Sequence, residues 1–338
     1  MDRTHATPMK IFETLGAFRR TAAIKTAIEL DFFSAIGEGA DTAAKLAERH
    51  SVSERGARKL CDYLTMLGFL EKKRDTYSLG PDAAAFLDRR SPRYLGAPAS
   101  EALAGQASVA AFSTLTEAVR AGGTALPGGG TLAPEHPMWV AFAQAMAVPG
   151  MILARLLADC VIEQRELPVR ILDLAGGHGL YGIEFARRNS GAEVFAVEWP
   201  QVLAVAQRNA ESAGVVERFH PIPGDALTVE FGTGYDLALI TNFCPDLGST
   251  ENLLKRVRAS LVKSGRVALF ELMLNDDEIS PPAAVDLNLA LLATTPRGET
   301  RTASQLTEVL MRAGFERVEI RDVPPSSNRV AIGYVTNR

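Results

Sequence analysis

The residues best suited to chemistry in this chain lie in one glycine-rich turn and at the ends of the two short apolar runs that follow it. The segment ILDLAGGHG, Ile171–Gly179, has the form D-x-A-x-G-x-G. Small residues at Ala175, Gly177 and Gly179 let a backbone turn sharply from a strand into a helix and let a ligand approach closely. Two phosphate-binding motifs are excluded: Leu180-Tyr181-Gly182 breaks the GxGxxG spacing, and no GxxxxGK[ST] loop occurs. Glu198 ends VFAVEWP, roughly 25 residues beyond Asp173, where an acid at a strand tip accepts hydrogen bonds from ribose hydroxyls. Asp225 follows the next run in Gly224-Asp225-Ala226, placed to accept from an adenine amino group. A glycine turn and two acids, with no lysine to neutralise phosphate, suit an adenosine that carries none. S-adenosylmethionine (SAM) is such a ligand. Either acid alone reads equally well as an exposed strand end; the pair, in register after successive strands, points to a site.

These residues need an alternating scaffold. Val169–Leu174, Val194–Val197, Phe219–Ile222, Asp236–Ile240 and Arg266–Glu271 read as strands, with helices at Leu180–Arg188, Gln201–Ser212 and Thr250–Leu261 between them. That alternation predicts βαβ units and a mostly parallel sheet covered on both faces. Phe315–Val323 and Arg329–Thr336 are too closely linked for a parallel crossover and predict antiparallel neighbours. The first hundred residues differ. Apolar residues at Ile11, Leu15, Phe18, Ala22, Ile28 and Phe32 predict a helix over Ile11–Ile36. Thr42–His50 and Glu54–Leu67, the latter with Ser53 as N-cap, predict two further helices. Phe69-Leu70 and Tyr77–Leu79 flank a polar tip as a hairpin, completing a winged helix-turn-helix. The expected division is 1–95 and 96–338. Pro92, Pro98, Gly122-Gly123 and the PGGG run at 127–130 mark helices and loops that join the two parts, the last suited equally to a lid or a bend.

Composition bounds the rest. The 338 residues carry a formal charge of −4 and 47% hydrophobic residues, which argues against polyanion binding and wholesale disorder. No apolar run is expected to approach the roughly 18 residues needed to span a bilayer. Three widely spaced cysteines (Cys61, Cys160 and Cys244) form no CxxC pair, so neither a disulfide framework nor a metal site is expected, and the cytoplasm is the expected location.

The segments RGARKLCDYLTMLGFL, DLAGGHG, GDAL, PRGETRT and RAGF together resemble the SAM-dependent small-molecule O-methyltransferases that join a winged-helix dimerisation domain to a Rossmann-like domain. The resemblance runs from about Ile11 to Val335. It implies an α/β fold: a Rossmann-like, seven-stranded, mostly parallel sheet whose last strand is antiparallel. An all-helical winged-helix dimerisation domain, its wing the short hairpin, would precede it. It implies cofactor contacts at Ala175, Gly177, Glu198, Asp225 and Ala226, with Asn242 at a further cofactor position. Ala226 is smaller than the family's usual residue, implying looser adenine packing. Trp199 either packs on the adenosine or is a strand-end aromatic of the core.

The catalytic positions depart from that family. Its members carry a histidine base just after the fourth strand, where this chain reads TNFCPDLGST, Thr241–Thr250. Pro245 or Asp246 falls at the base position. The two family glutamates that flank the base are present as Glu271 and Glu299. Three mechanisms follow. Asp246 is the base, provided that burial raises its pKa; or the acceptor is acidic or nucleophilic enough to need none; or the scaffold does non-methylating chemistry, as some family members do. His178 reads as a backbone-positioning residue, His136 as an occasional substrate contact, and Cys244 as a small thiol lining the pocket. Candidate acceptor-side residues are Trp139, Phe142, Met146, Met151, Asp286, Asn288 and Leu289.

The expected activity is methyl transfer to a hydroxyl of a small aromatic or hydrophobic acceptor by a homodimer joined through its N-terminal domains. Neither nucleic acid nor membrane is an expected partner. The rival class is a winged-helix DNA-binding regulator. Arg55, Arg58, Lys59, Lys72, Lys73 and Arg74 favour it, and Glu54, Asp62, Glu71 and Asp75 dilute it.

Overall fold

A computed structural model describes residues 7–132, 136–162, 168–243 and 245–335. The chain divides into two compact units, 1–105 and 106–338.

The first unit begins with α1 (Met9–Leu15), α2 (Phe18–Glu29) and α3 (Phe32–Gly37). The single helix expected over Ile11–Ile36 is therefore three. The chain turns at Gly16-Ala17 and again at Asp31, whose φ of 53° leaves the helical region. Asp31 is held there by its side chain, which accepts from Ser34 Oγ at 2.7 Å and from Arg89 Nε at 3.0 Å. Helices α4 (Ala43–His50) and α5 (Glu54–Met66) start on side-chain caps: Thr42 accepts from Lys45 N, and Ser53 from Gly56 N. The hairpin β1 (Leu70–Lys73) and β2 (Thr76–Leu79) is the wing, followed by α6 (Pro81–Phe86) and α7 (Gly96–Ala104). Phe32, Phe33, Leu46, Leu64 and Leu70 form this unit's core.

The second unit opens with α8 (Gln106–Ser113), α9 (Leu115–Ala121) and α10 (Met138–Ile162). Helix α10 is long and apolar enough, by length and composition, to cross a membrane, although sequence inspection had found no such run. Gln144, Arg155 and Asp159 interrupt the run, and Ala154, Leu157, Ala158 and Val161 pack it into the sheet core as a helix of an α/β layer.

There follow β3 (Arg170–Leu174), α11 (Leu180–Arg188), β4 (Glu193–Glu198), α12 (Pro200–Ser212), β5 (Phe219–Pro223), β6 (Tyr235–Thr241), α13 (Leu247–Ser260), β7 (Leu261–Glu271), α14 (Pro282–Thr294), α15 (Ala303–Arg312), β8 (Arg317–Asp322) and β9 (Arg329–Tyr334). The seven strands lie in the order β5-β4-β3-β6-β7-β9-β8, with β9 antiparallel to both neighbours. Side-chain alternation sorts the sheet into two faces. Ile171, Leu237, Leu239, Ala268 and Phe270 pack under α10, α11 and α12. Leu172, Leu174, Ala238, Ile240 and Leu269 pack under α13 and α15. Register brings Leu174 beside Val197 and Ile240, and Glu198 beside Pro223, so the carboxyl ends of β3, β4, β5 and β6 form one edge.

Candidate active site

That edge gathers the acids expected from sequence. Glu198 caps two loops at once: Oε2 accepts from Gly177 N at 3.0 Å and Oε1 from Trp199 N at 2.8 Å. Its own carbonyl accepts from Gly224 N at 3.0 Å, which draws the turn carrying Asp225 alongside. Burial raises the Glu198 pKa against those two backbone donors. Gly177 sits at φ +56°, and a Cβ there would meet nothing within 4 Å, so the turn has an open side toward which a ligand can close. Asp225 Oδ1 accepts from Leu227 N at 2.8 Å, and Oδ2 has no hydrogen bond among the described residues. Ala175 and Asn242 flank the first and fourth strand ends at φ 52° and 50°. Asn242 N donates to Phe270 O, and its Oδ1 accepts from Asn328 Nδ2 at 3.0 Å. Ala226 is buried. Trp199, partly buried, packs with Trp139, Val140, Val202 and Val205 in a small apolar cluster.

Sequence reasoning did not single out Asp173 as a site residue. Its carboxyl is fully buried beneath the turn, with Oδ2 accepting from Gly182 N at 3.1 Å and Oδ1 unpartnered among the described residues. Burial pushes its pKa up to about 7, with the nearby Glu198 charge adding and the Gly182 bond opposing. A carboxyl whose pKa rises on folding gives stability that is fully present below the unfolded pKa and is lost as pH climbs through the folded one. A shift from 3.8 to about 7 corresponds to about 4 kcal/mol at most. Asp173→Asn keeps an acceptor for Gly182 N and removes the titration. Denaturant unfolding from about pH 4 to about pH 8 should therefore show stability falling until about pH 7 and level above it in the parent, a fall that the variant lacks.

The expected catalytic trio is rearranged. Asp246 is the N-cap of α13, accepting from Ser249 N at 3.1 Å and Ser249 Oγ at 2.7 Å. Those bonds hold its carboxyl below the ordinary range, so the condition for Asp246 as base, a raised pKa, is not met. Glu271 does not face a base; it is 1% exposed and bound by the equally buried Arg301, whose Nη2 lies 3.1 Å and 3.3 Å from its two oxygens. Arg301 Nη1 donates to Pro245 O at 3.1 Å and Thr250 Oγ1 at 2.6 Å. Arg301 thus ties the segment at the base position to the end of β7. Its only sequence signal was membership of PRGETRT.

Glu299, Asp246 and Arg297 line a cavity of about 630 Å³ with Gly122, Gly123, Asn288, Leu289 and Leu292. Asn288 and Leu289 were expected there. Trp139 and Phe142 instead meet each other edge to face at 5.8 Å, and Trp139 Nε1 donates to Thr131 O. Cys244 lies outside the described residues. His178 has the backbone role expected of it: Nδ1 accepts from Leu180 N and its carbonyl from Asn209 Nδ2.

Comparison with known proteins converges on this geometry. Residues 140–316 match the O-methyltransferase domain model, and residues 12–89 match the O-methyltransferase dimerisation domain model. The chain is 28% identical to the tetracenomycin polyketide synthesis 8-O-methyl transferase of Streptomyces glaucescens, covering 96% of each chain. It is 27% identical to the 3-hydroxy-5-methyl-1-naphthoate 3-O-methyltransferase of Streptomyces sahachiroi, over 93% of this chain and 91% of that one. Among solved structures, a Nostoc punctiforme protein assigned to the O-methyltransferases superposes with a TM-score of 0.89 at 41% identity, covering 98% of this chain and all of that one. Human N-acetylserotonin methyltransferase in complex with SAM shares the fold at 19% identity, with a TM-score of 0.84 and full coverage of both chains. A Rossmann-like sheet with a strand-end acid closed on its glycine turn, preceded by a matching dimerisation domain, places this chain in the SAM-dependent O-methyltransferase family.

Proposed function

We propose that the protein transfers a methyl group from SAM to a hydroxyl of a small aromatic or hydrophobic metabolite, without a histidine base. The observation that carries the reading is the Glu198 carboxylate bound to Gly177 N, which sets a ribose acceptor directly against an open glycine turn. Glu198 would receive the ribose hydroxyls and Asp225 Oδ2 the adenine amino group, while Ala175, Gly177, Ala226 and Asn242 shape the rest of the seat. When bound, SAM supplies an electrophilic methyl carbon on a sulfonium. The chain's own part is then orientation. Holding nucleophile, methyl carbon and sulfur in line supplies about 7–11 kcal/mol in favourable cases, whereas a general base adds roughly 10²–10⁴-fold. With Asp246 serving as a cap and Glu271 committed to Arg301, Glu299 is the remaining expected carboxylate at the cavity, and an acceptor hydroxyl acidic enough to react unaided fits the site best. The two Streptomyces relatives act on polyketide and naphthoate hydroxyls, which fits such an acceptor.

The exposed apolar residues Met9, Ile11, Phe12, Leu15 and Phe18 support homodimerisation through the N-terminal unit. The regulator reading is weakened, because wing residue Lys72 is spent on Asp62 and on the face of Tyr77. A second reading, non-methylating chemistry on the same cofactor scaffold, is favoured by the commitment of Glu271 to Arg301. Titration with SAM and S-adenosylhomocysteine (SAH), followed by an acceptor screen with methyl-labelled SAM, separates the two. Label on a phenolic product supports methyl transfer. Tight binding with no label in any acceptor supports the second reading, and no binding of either ligand removes both.

A further inference from the structure

We propose that His178 is a positioning residue that seats the glycine turn on helix α10 through the gap left by Gly150, so that turn and helix hold one fixed relation. The inference rests on the reading of Gly177 and Glu198 as cofactor residues, and goes beyond it by giving helix α10 control of the cofactor seat.

The argument begins with space. A Cβ on Gly150 would lie 2.4 Å from His178 Nε2, 2.8 Å from Cε1 and 3.1 Å from Cδ2. The outer edge of the imidazole therefore fills the volume that any other side chain at 150 would need. Glycine in a helix interior is disfavoured relative to alanine, and this one follows Pro149, itself a helix-interior proline. Two residues that weaken a helix thus stand together where the ring docks.

The other edge of the ring serves the turn. Nδ1 accepts from Leu180 N at 3.2 Å at the start of α11, and the His178 carbonyl accepts from Asn209 Nδ2 at 2.8 Å, which ties the turn to α12. The ring lies 5.3 Å from that of Tyr181, which meets Phe270 of β7 edge-on at 5.7 Å. His178 is only 5% exposed, and burial pushes its imidazole down to about 4. A neutral ring with Nδ1 as acceptor carries its proton on Nε2, the edge toward Gly150. The chain two residues before Gly179 is Gly177, whose N–H holds Glu198, so a displacement of His178 is felt at the ribose acceptor.

The test uses the full-length protein, SAH titration calorimetry and thermal unfolding. Gly150→Ala should weaken SAH binding by roughly tenfold or more, because the new methyl displaces the ring and with it the turn. His178→Asn retains an acceptor near the Nδ1 position and deletes the atoms closest to Gly150. The double variant Gly150→Ala/His178→Asn should therefore bind SAH no more weakly than His178→Asn alone, a rescue that general destabilisation by alanine would not produce. If Gly150→Ala fails to fold while the double variant folds and binds, the contact is equally supported. Parent-like SAH binding by Gly150→Ala, strictly additive losses in the double variant, or failure of the double variant to fold would each overturn the proposal. Failure of the underlying reading looks different: the parent itself would not bind SAH, or Glu198→Ala would bind it unimpaired, and the proposal would fall with it.

Discussion

Arg301→Met is expected to destabilise the protein by about 3–5 kcal/mol, because it strands the Glu271 carboxylate, 1% exposed, without its partner. The corresponding fall in Tm is roughly 10 °C for a unit of this size. The loss has two parts: an uncompensated buried charge, and the donors to Pro245 O and Thr250 Oγ1. Arg301→Met/Glu271→Met separates them. Replacing a whole buried pair by apolar residues is often neutral or stabilising, so the double variant should recover most of the loss. If it stays as unstable as the single variant, the hydrogen bonds to the 245–250 segment are what matter. If Arg301→Met unfolds at the parent's urea midpoint, the pair is not a stabilising clamp at all.

The second large effect is on ligand binding. Glu198→Ala removes the carboxylate assigned to the ribose hydroxyls and also frees Gly177 N and Trp199 N. Hydrogen bonds to a charged group are worth about 1.5–3 kcal/mol each, so loss of two predicts at least about a hundredfold weaker SAH binding. Asp225→Ala should also weaken binding severely. Asp246→Ala should leave the SAH Kd within about twofold while lowering stability by about 0.5–2 kcal/mol, the usual effect of losing an N-cap. Tight SAH binding by Glu198→Ala would sink the cofactor assignment, and strong loss of binding by Asp246→Ala would place that residue in the cofactor seat.

What could be read from sequence was what is encoded over short distances. The strand-end positions of Glu198 and Asp225 were legible because each follows a run whose length and composition announce a strand, and the glycine turn is a local motif. Thr42 and Ser53 cap helices through their own following backbone. The break at Asp31 was missed because an apolar period carries through it; a left-handed aspartate is stabilised by Ser34 and by Arg89, the latter far along the chain. Asp246 was one candidate for the base because of its position in a family pattern, although Asp246-Leu247-Gly248-Ser249 is also a helix-start signature that its hydrogen bonds bear out. Arg301 was invisible as a structural residue, since its partners at 245, 250 and 271 come together only when the sheet forms. The buried environment of Asp173 was hidden for the same reason.

The strand order has a consequence for how such a protein changes its chemistry. From β3 the chain passes through α11 to β4 on one side, and from β6 through α13 to β7 on the other, with α11 and α13 on opposite faces of the sheet. The neighbouring loops after β3 and β6 therefore part in opposite directions, and a crevice opens between them by topology alone. One lip, from Ala175 to Gly179, belongs to the half of the sheet that carries Glu198 and Asp225. The other lip, around Asn242–Asp246, is anchored independently by Arg301 and by the cap of α13. A reaction centre divided in this way can exchange the groups on its second lip without rebuilding the first. Pro245 and Asp246 stand on the second lip, so a change of residue there leaves untouched the Glu198 bonds that close the first.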